Sequence, residues 1–158
     1  TVESFVRLVS ETIQKDPILI LSDNVKTVNT LLINKAAESE DYKGMGTTLV
    51  AATLQDNVLR IANVGDSRLY IISNDIRQIT RDHSYVEEMV MRGQIDRKQA
   101  RTHAKKNIIT RAIGAEKTVE PEMFSIDIQK GDKILMCTDG LSRGYRHTKD
   151  CERKYRYR

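Results

Sequence analysis

At 158 residues, 39% hydrophobic and 30% charged, the chain has the size and composition of one globular domain with a sizeable core. No apolar run approaches a bilayer span and no basic-then-apolar leader opens the chain, so a cytoplasmic location with no membrane partner is expected. The net charge of +4 invites a nucleic-acid partner, but residues 143–158 carry seven Lys or Arg against Asp150 and Glu152, which leaves the first 142 residues at −1. The folded part is nearly neutral, and nucleic acid is not the expected ligand. The two cysteines have no Cys-x-x-Cys or Cys/His spacing, which argues against a disulfide framework and a thiolate metal site. Cys137, within an apolar run, reads as a small buried hydrophobe, and Cys151 lies in the basic tail.

Val2, Phe5, Val6, Val9 and Ile13 recur at helical spacing and predict a first helix that Asp16-Pro17 ends. A second is expected from Ser22-Asp23 through Val25, Val28, Leu31, Leu32 and Ala36. Each has one apolar face and so covers a sheet. A polar loop then ends in Gly44-Met45-Gly46, which precedes a strand rather than a helix and is thereby a poor phosphate loop.

Thr47 to Thr53 and Val58 to Val64 are apolar, β-branched runs joined by Leu54-Gln55-Asp56-Asn57, a hairpin pattern. Leu69 to Ile72 follows after four residues, so the chain turns sharply at Gly65 and points Asp66 outward from two strand ends. There a carboxylate can meet a cation, or it can cap backbone N–H groups as turn Asp residues commonly do.

A short strand is expected at Ile76 to Thr80, then a helix capped by Asp82 or Ser84, with Val86, Met89 and Val90 inward and Gly93 at its end. His83 has the chemistry of a general acid, but a lone His beside a cap is more often a hydrogen-bonded structural residue. Residues 94–107 are basic and lack aromatics, as a solvated segment or flap does. Pro121 to Ile128 alternates like a half-buried strand, Gly131-Asp132 turns, and Lys133 to Thr138 reads as a continuous buried strand. It stops at Asp139-Gly140, a second carboxylate at a strand tip. Acidic residues so placed suit a hard divalent cation, which takes a few carboxylates and completes its shell with water.

The order of these motifs is more specific than any one of them. Gly44-Met45-Gly46-Thr47-Thr48, Val64-Gly65-Asp66-Ser67-Arg68-Leu69-Tyr70, Thr80-Arg81-Asp82-His83-Ser84, Asn107 to Gly114, Gly131-Asp132 and Thr138-Asp139-Gly140-Leu141 together resemble the bacterial PPM (type 2C) metal-dependent serine/threonine protein phosphatases. The resemblance implies an α+β fold, a sandwich of two mostly antiparallel sheets flanked by helices, incomplete at both termini. It also implies a site for two or three Mn²⁺ or Mg²⁺ ions and phosphorylated proteins as substrates. By the same resemblance Asp139 is the late ligand of the metal pair, Asp66 helps hold a weaker third ion, and a flap at about residues 84–106 borders the site.

Residues 1–142 carry this family-like domain. No residue of the chain matches the family's phosphate-binding Arg, its bridging Asp-Gly-x-Gly or its last metal-binding Asp. The expectation is a fragment with little activity of its own, and a basic tail at 143–158 that reads as a frameshifted or misassembled gene end. A non-catalytic binding module that keeps the phosphatase sandwich is the alternative, and a basic-tailed nucleic-acid binder is a third reading.

Overall fold

The structure, a computed structural model, describes residues 2–10 and 17–144. The expected end of the first helix at Asp16, and residues 145–158 of the expected basic tail, lie outside the described residues. Among those described, no helix is long and apolar enough to cross a membrane.

Two helices open the chain, α1 (Val2–Ser10) and α2 (Pro17–Ala36). α2 begins at Pro17, not at Ser22-Asp23 as the cap signals imply. Proline lacks only an N–H that the first helical turn would leave unpaired, so it starts a helix as readily as it ends one. Strands β1 (Leu49–Gln55), β2 (Val58–Val64) and β5 (Glu122–Asp127) form one antiparallel sheet in the order β1-β2-β5. Strands β3 (Arg68–Ile72), β4 (Ile76–Gln78) and β6 (Lys133–Cys137) form the second, in the order β4-β3-β6. This is the expected sandwich. The β1–β2 hairpin closes through Asp56 and Asn57, both at positive φ (51° and 61°), the conformation that matches the twist of a two-residue hairpin loop.

The alternation of side chains along β2 divides the core. Ala62 and Val64 face the helices and pack with Phe5, Leu21, Val25, Val28, Ile113 and Val119. Leu59 and Ile61 face the other way, against Leu69 and Ile71 of β3 and Phe124 and Ile126 of β5. Sheet one is thus covered on both faces, which explains its apolar character on both sides. β6 differs from expectation. It is an edge strand, half exposed, with Met136 at 50% exposure although its register with Leu69 places it on the inner face. Cys137 is likewise only half-buried. A continuous apolar run does not reveal which strand of a sheet will lie at an edge.

After β4 come α3 (Tyr85–Met91) and α4 (Arg97–Thr102), both within the segment expected to be a flap. α4 buries none of its residues and owes its start to a capping box, Asp96 with Gln99. A short helix, α5 (Asp139–Gly144), follows β6.

Candidate active site

Strand register gathers most of the sequence motifs at one end of the sandwich, while Gly131-Asp132 turns at the other, where Asp132 accepts from Ser73. Leu49 pairs with Val64 and Asn63 with Glu122, so the start of β1, the end of β2 and the start of β5 coincide. The chain crosses from the first sheet to the second through Gly65, Asp66 and Ser67. In the second sheet Arg68 pairs with Cys137. Asp66 lies two residues before that pair and Asp139 two residues after it, so both half-buried carboxylates stand at the same end of β3 and β6.

The crossing is tight because three loops close on it. Gly65 has φ +108°, and a Cβ there would lie 2.3 Å from Thr48 Cγ2. Only glycine fits that approach. Thr48 Oγ1 and Ser67 Oγ share a hydrogen bond of 2.8 Å. Thr47 and Ile113 exchange backbone bonds of 3.0 and 2.8 Å, which ties in the 107–114 segment. Thr80 Oγ1 accepts from the Leu69 N–H at 2.9 Å, and Asn63 Nδ2 donates to the Arg81 carbonyl at 2.9 Å. Thr47 and Thr48 thus form part of the packing around the corner.

Beside the corner lies a cleft of about 410 Å³ whose lining includes Arg81, Asp82, His83, Glu87, Arg111 and Glu122. His83 is buried, at 7% exposure. Its Nδ1 accepts the Gly65 N–H at 3.1 Å, and its Nε2 faces Glu122 Oε2 at 3.2 Å. Gly65 N–H can only donate, so Nδ1 carries no proton and the ring proton sits on Nε2. Burial and the nearby Arg111 guanidinium hold the His83 pKa below its ordinary value, against the opposing pull of Glu122. Arg81 also binds Glu122, and Arg111 donates to the Glu120 carbonyl at 2.9 Å. Sequence reasoning assigned no role to Arg81 or Arg111 and missed Glu122. Arg81 and Arg111 lie within motifs of the resemblance without a role of their own, while nothing local marks Glu122, which reaches this place through its register with Asn63.

Of the two candidate caps, the structure selects Ser84, which accepts from the Glu87 N–H. Asp82 instead grips Arg68 through two bonds, Nε to Oδ1 at 2.8 Å and Nη2 to Oδ2 at 2.6 Å. Of the two, Ser84 takes the cap and Asp82 is left to Arg68. Glu87 takes both arms of Arg97 and so fastens α4 to α3.

Among the described residues, no three His, Cys, Asp or Glu side chains converge in a group that could hold a metal. Asp66 and Asp139 are hard oxygen donors of the kind Mg²⁺ or Mn²⁺ takes, but the two of them make only part of a ligand set for an ion pair.

Residues 1–157 match the family model described as protein phosphatase 2C. The chain belongs to the protein phosphatase 2C family. The serine/threonine phosphatase stp of Listeria innocua is 40% identical over 149 residues, a match that takes in 89% of this chain and 59% of that protein. Among solved structures, serine/threonine phosphatase Stp1 from Staphylococcus aureus superposes with a TM-score of 0.82 at 36% identity, covering 93% of this chain and 61% of that one. The catalytic domain of the phosphatase PstP, solved in complex with two manganese ions, gives a TM-score of 0.82 at 29% identity, covering 96% and 63%. The chain therefore spans about three-fifths of the protein phosphatase 2C relatives it matches. Its two-sheet sandwich is the fold of those structures.

Proposed function

We propose that the protein is a metal-dependent phosphatase that hydrolyses phosphoserine and phosphothreonine in cytoplasmic proteins, with Asp139 and Asp66 among its metal ligands. The observation that carries this reading is the β3–β6 register, which brings the two carboxylates of the Gly65-Asp66-Ser67 and Thr138-Asp139-Gly140 motifs to one sheet end. The membership in the protein phosphatase 2C family and the manganese-bound relative support the same assignment. A bound Mn²⁺ or Mg²⁺ pair supplies a water of lowered pKa and neutralises charge on the phosphoryl oxygens.

The chain's own contribution is to fix the donors. Gly65 sets the direction of Asp66, and β6 delivers Asp139 at the first position of α5. The segment 84–106, built as α3 and α4 and fastened by Glu87 and Arg97, takes the place of a flap beside the cleft. Two carboxylates hold an ion pair poorly, so the 158-residue chain alone hydrolyses phosphothreonine peptides negligibly, while the protein completed to its relatives' length does so with Mn²⁺.

The test is Mn²⁺-dependent release of phosphate from a phosphothreonine peptide by the completed protein and by its Asp139→Asn variant. Asp139→Asn is expected to lower the rate by about 100-fold or more, as losses of charge stabilisation at a reacting centre do. An unchanged rate in Asp139→Asn, or turnover unaffected by chelation, overturns the assignment. Phosphopeptide binding by the completed protein without turnover favours the non-catalytic module.

A further inference from the structure

We propose that His83 is a positioning residue: its Nδ1 lone pair holds the Gly65 peptide, and through it fixes the direction in which Asp66 leaves the sandwich. The proposal rests on the reading of Asp66 as a metal ligand, which it deepens. His83 contacts Gly65 twice. Its backbone N–H donates to the Gly65 carbonyl at 2.9 Å while its ring accepts the Gly65 N–H at 3.1 Å. Both polar atoms of the residue directly before Asp66 are therefore bonded to one side chain and its own backbone. Gly65 needs such a clamp. Glycine has the widest backbone freedom of any residue, and nothing in its own chemistry keeps φ at +108°.

The clamp works in one tautomer only. Nδ1 must present a lone pair, which requires the ring proton on Nε2, and Glu122 Oε2 at 3.2 Å stabilises that arrangement. The other charged groups at this ring act in concert. Arg81 holds the second oxygen of Glu122, and Arg111 Nη1 lies 3.5 Å from Nε2, where it disfavours a second positive charge. Asp82, Glu87, Glu88 and Arg92 line the same cleft, with Asp82 tied to Arg68 and Glu87 to Arg97. His83 is anchored in turn, since the Thr110 N–H donates to its carbonyl at 2.8 Å. The result is a chain of contacts from β5 through Glu122 and His83 to the corner that carries Asp66.

Three variants of the completed protein separate this role from simple packing. In His83→Asn the side-chain oxygen stands near the place of Nδ1 and keeps the acceptor. His83→Gln places its amide nearer Nε2 and loses it, and His83→Ala has neither. Hydrogen exchange of the Gly65 amide is expected to accelerate about tenfold or more in the Ala and Gln variants, the scale of one lost hydrogen bond, and to stay within about threefold of wild type in the Asn variant. Mn²⁺ affinity, measured by titration with the metal alone, is expected to weaken about tenfold in the Ala variant and to recover in the Asn variant. In the unaltered protein, ring ¹⁵N shifts at neutral pH are expected to show Nδ1 unprotonated and Nε2 protonated. A proton on Nδ1, Gly65 exchange unchanged in His83→Ala, or an Asn variant as impaired as the Ala variant overturns the proposal. If Asp66→Asn leaves Mn²⁺ affinity unchanged, the metal assignment of Asp66 fails on its own, and the clamp is judged by Gly65 exchange and the ring shifts.

Discussion

Replacing Gly65 with alanine tests the corner most directly. Two costs are separable in the structure. The backbone has φ +108°, and an L-residue at positive φ costs about 1–2 kcal/mol. The new methyl group would also lie 2.3 Å from Thr48 Cγ2, 2.5 Å from Thr48 Cβ and 3.2 Å from Thr48 Cα. Forcing one carbon into such a contact costs about 1–3 kcal/mol in shifted backbone and side chain. Gly65→Ala is therefore expected to destabilise by about 2–5 kcal/mol, a large share of the 5–15 kcal/mol typical of a folded domain.

Urea unfolding reads this as a lower midpoint at unchanged slope. A double-mutant cycle with Thr48→Gly divides the loss, because removing Cβ and Cγ2 leaves only the 3.2 Å approach to Cα. Measured against Thr48→Gly alone, which already lacks the Thr48–Ser67 hydrogen bond, Gly65→Ala is expected to cost only the backbone part. Thr48→Ser keeps the hydroxyl and the 2.5 Å clash at Cβ, and so is expected to relieve little. A Gly65→Ala protein within about 0.5 kcal/mol of wild type, or a cycle with no coupling, refutes the close-approach argument.

Two further outcomes follow from the surroundings of the corner. Asp82→Asn leaves half-buried Arg68 without its carboxylate and is expected to destabilise by about 2 kcal/mol, whereas Ser84→Ala removes one N-cap and is expected to cost about 1 kcal/mol; thermal or urea unfolding ranks them. The lowered pKa of His83 means that the unfolded chain binds a proton more readily than the folded one. Its contribution to stability is then complete above pH 6.5 and is lost as pH falls from 6.5 through the lower folded value, at no more than about 1.4 kcal/mol per pH unit, a step that His83→Asn is expected to remove from the urea-midpoint profile.

What the sequence disclosed about this fold depended on whether the deciding interaction was local. The β1–β2 hairpin was legible because apolar β-branched runs and an Asp-Asn turn lie side by side in the chain. Pro17 was not, since the same residue marks the end of one helix or the first turn of the next, and only packing selects between them. Asp82 and Ser84 cap helices about equally well. The choice fell to Ser84 because Asp82 meets Arg68, fourteen residues away, in a paired geometry that no local pattern encodes. The apolar run of β6 matched a buried strand in composition, yet its position at the sheet edge leaves Met136 and Ile134 exposed. At the site, the residue types of Asp66 and Asp139 and their places at strand ends were readable, and their meeting at one end, implied by the resemblance, is delivered by the β3–β6 register. Glu122 had no signal at all, since its role exists only through strand pairing across the sheet.

The same register explains why charge at this end is organised as it is. Asp66 and Asp139 bring two negative groups to one sheet end, and Arg68, two residues from Asp66, is the nearest cation in sequence. Its Nε and Nη2 are bound to Asp82, and its Nη1 reaches the Tyr70 hydroxyl at 3.2 Å. Asp82 thus does more than hold β3 to the 80–84 strap. It pairs the charge of Arg68, which stands two residues from Asp66 in the chain. On the other side of the corner, His83 in its neutral form adds a hydrogen-bond acceptor without adding a second cation, and Arg81 is taken up by Glu122. Arg68, Arg81 and Arg111 are each paired with an acidic or carbonyl partner. If Asp66 and Asp139 hold the ions as proposed, that pairing limits the opposing positive charge a divalent cation meets there.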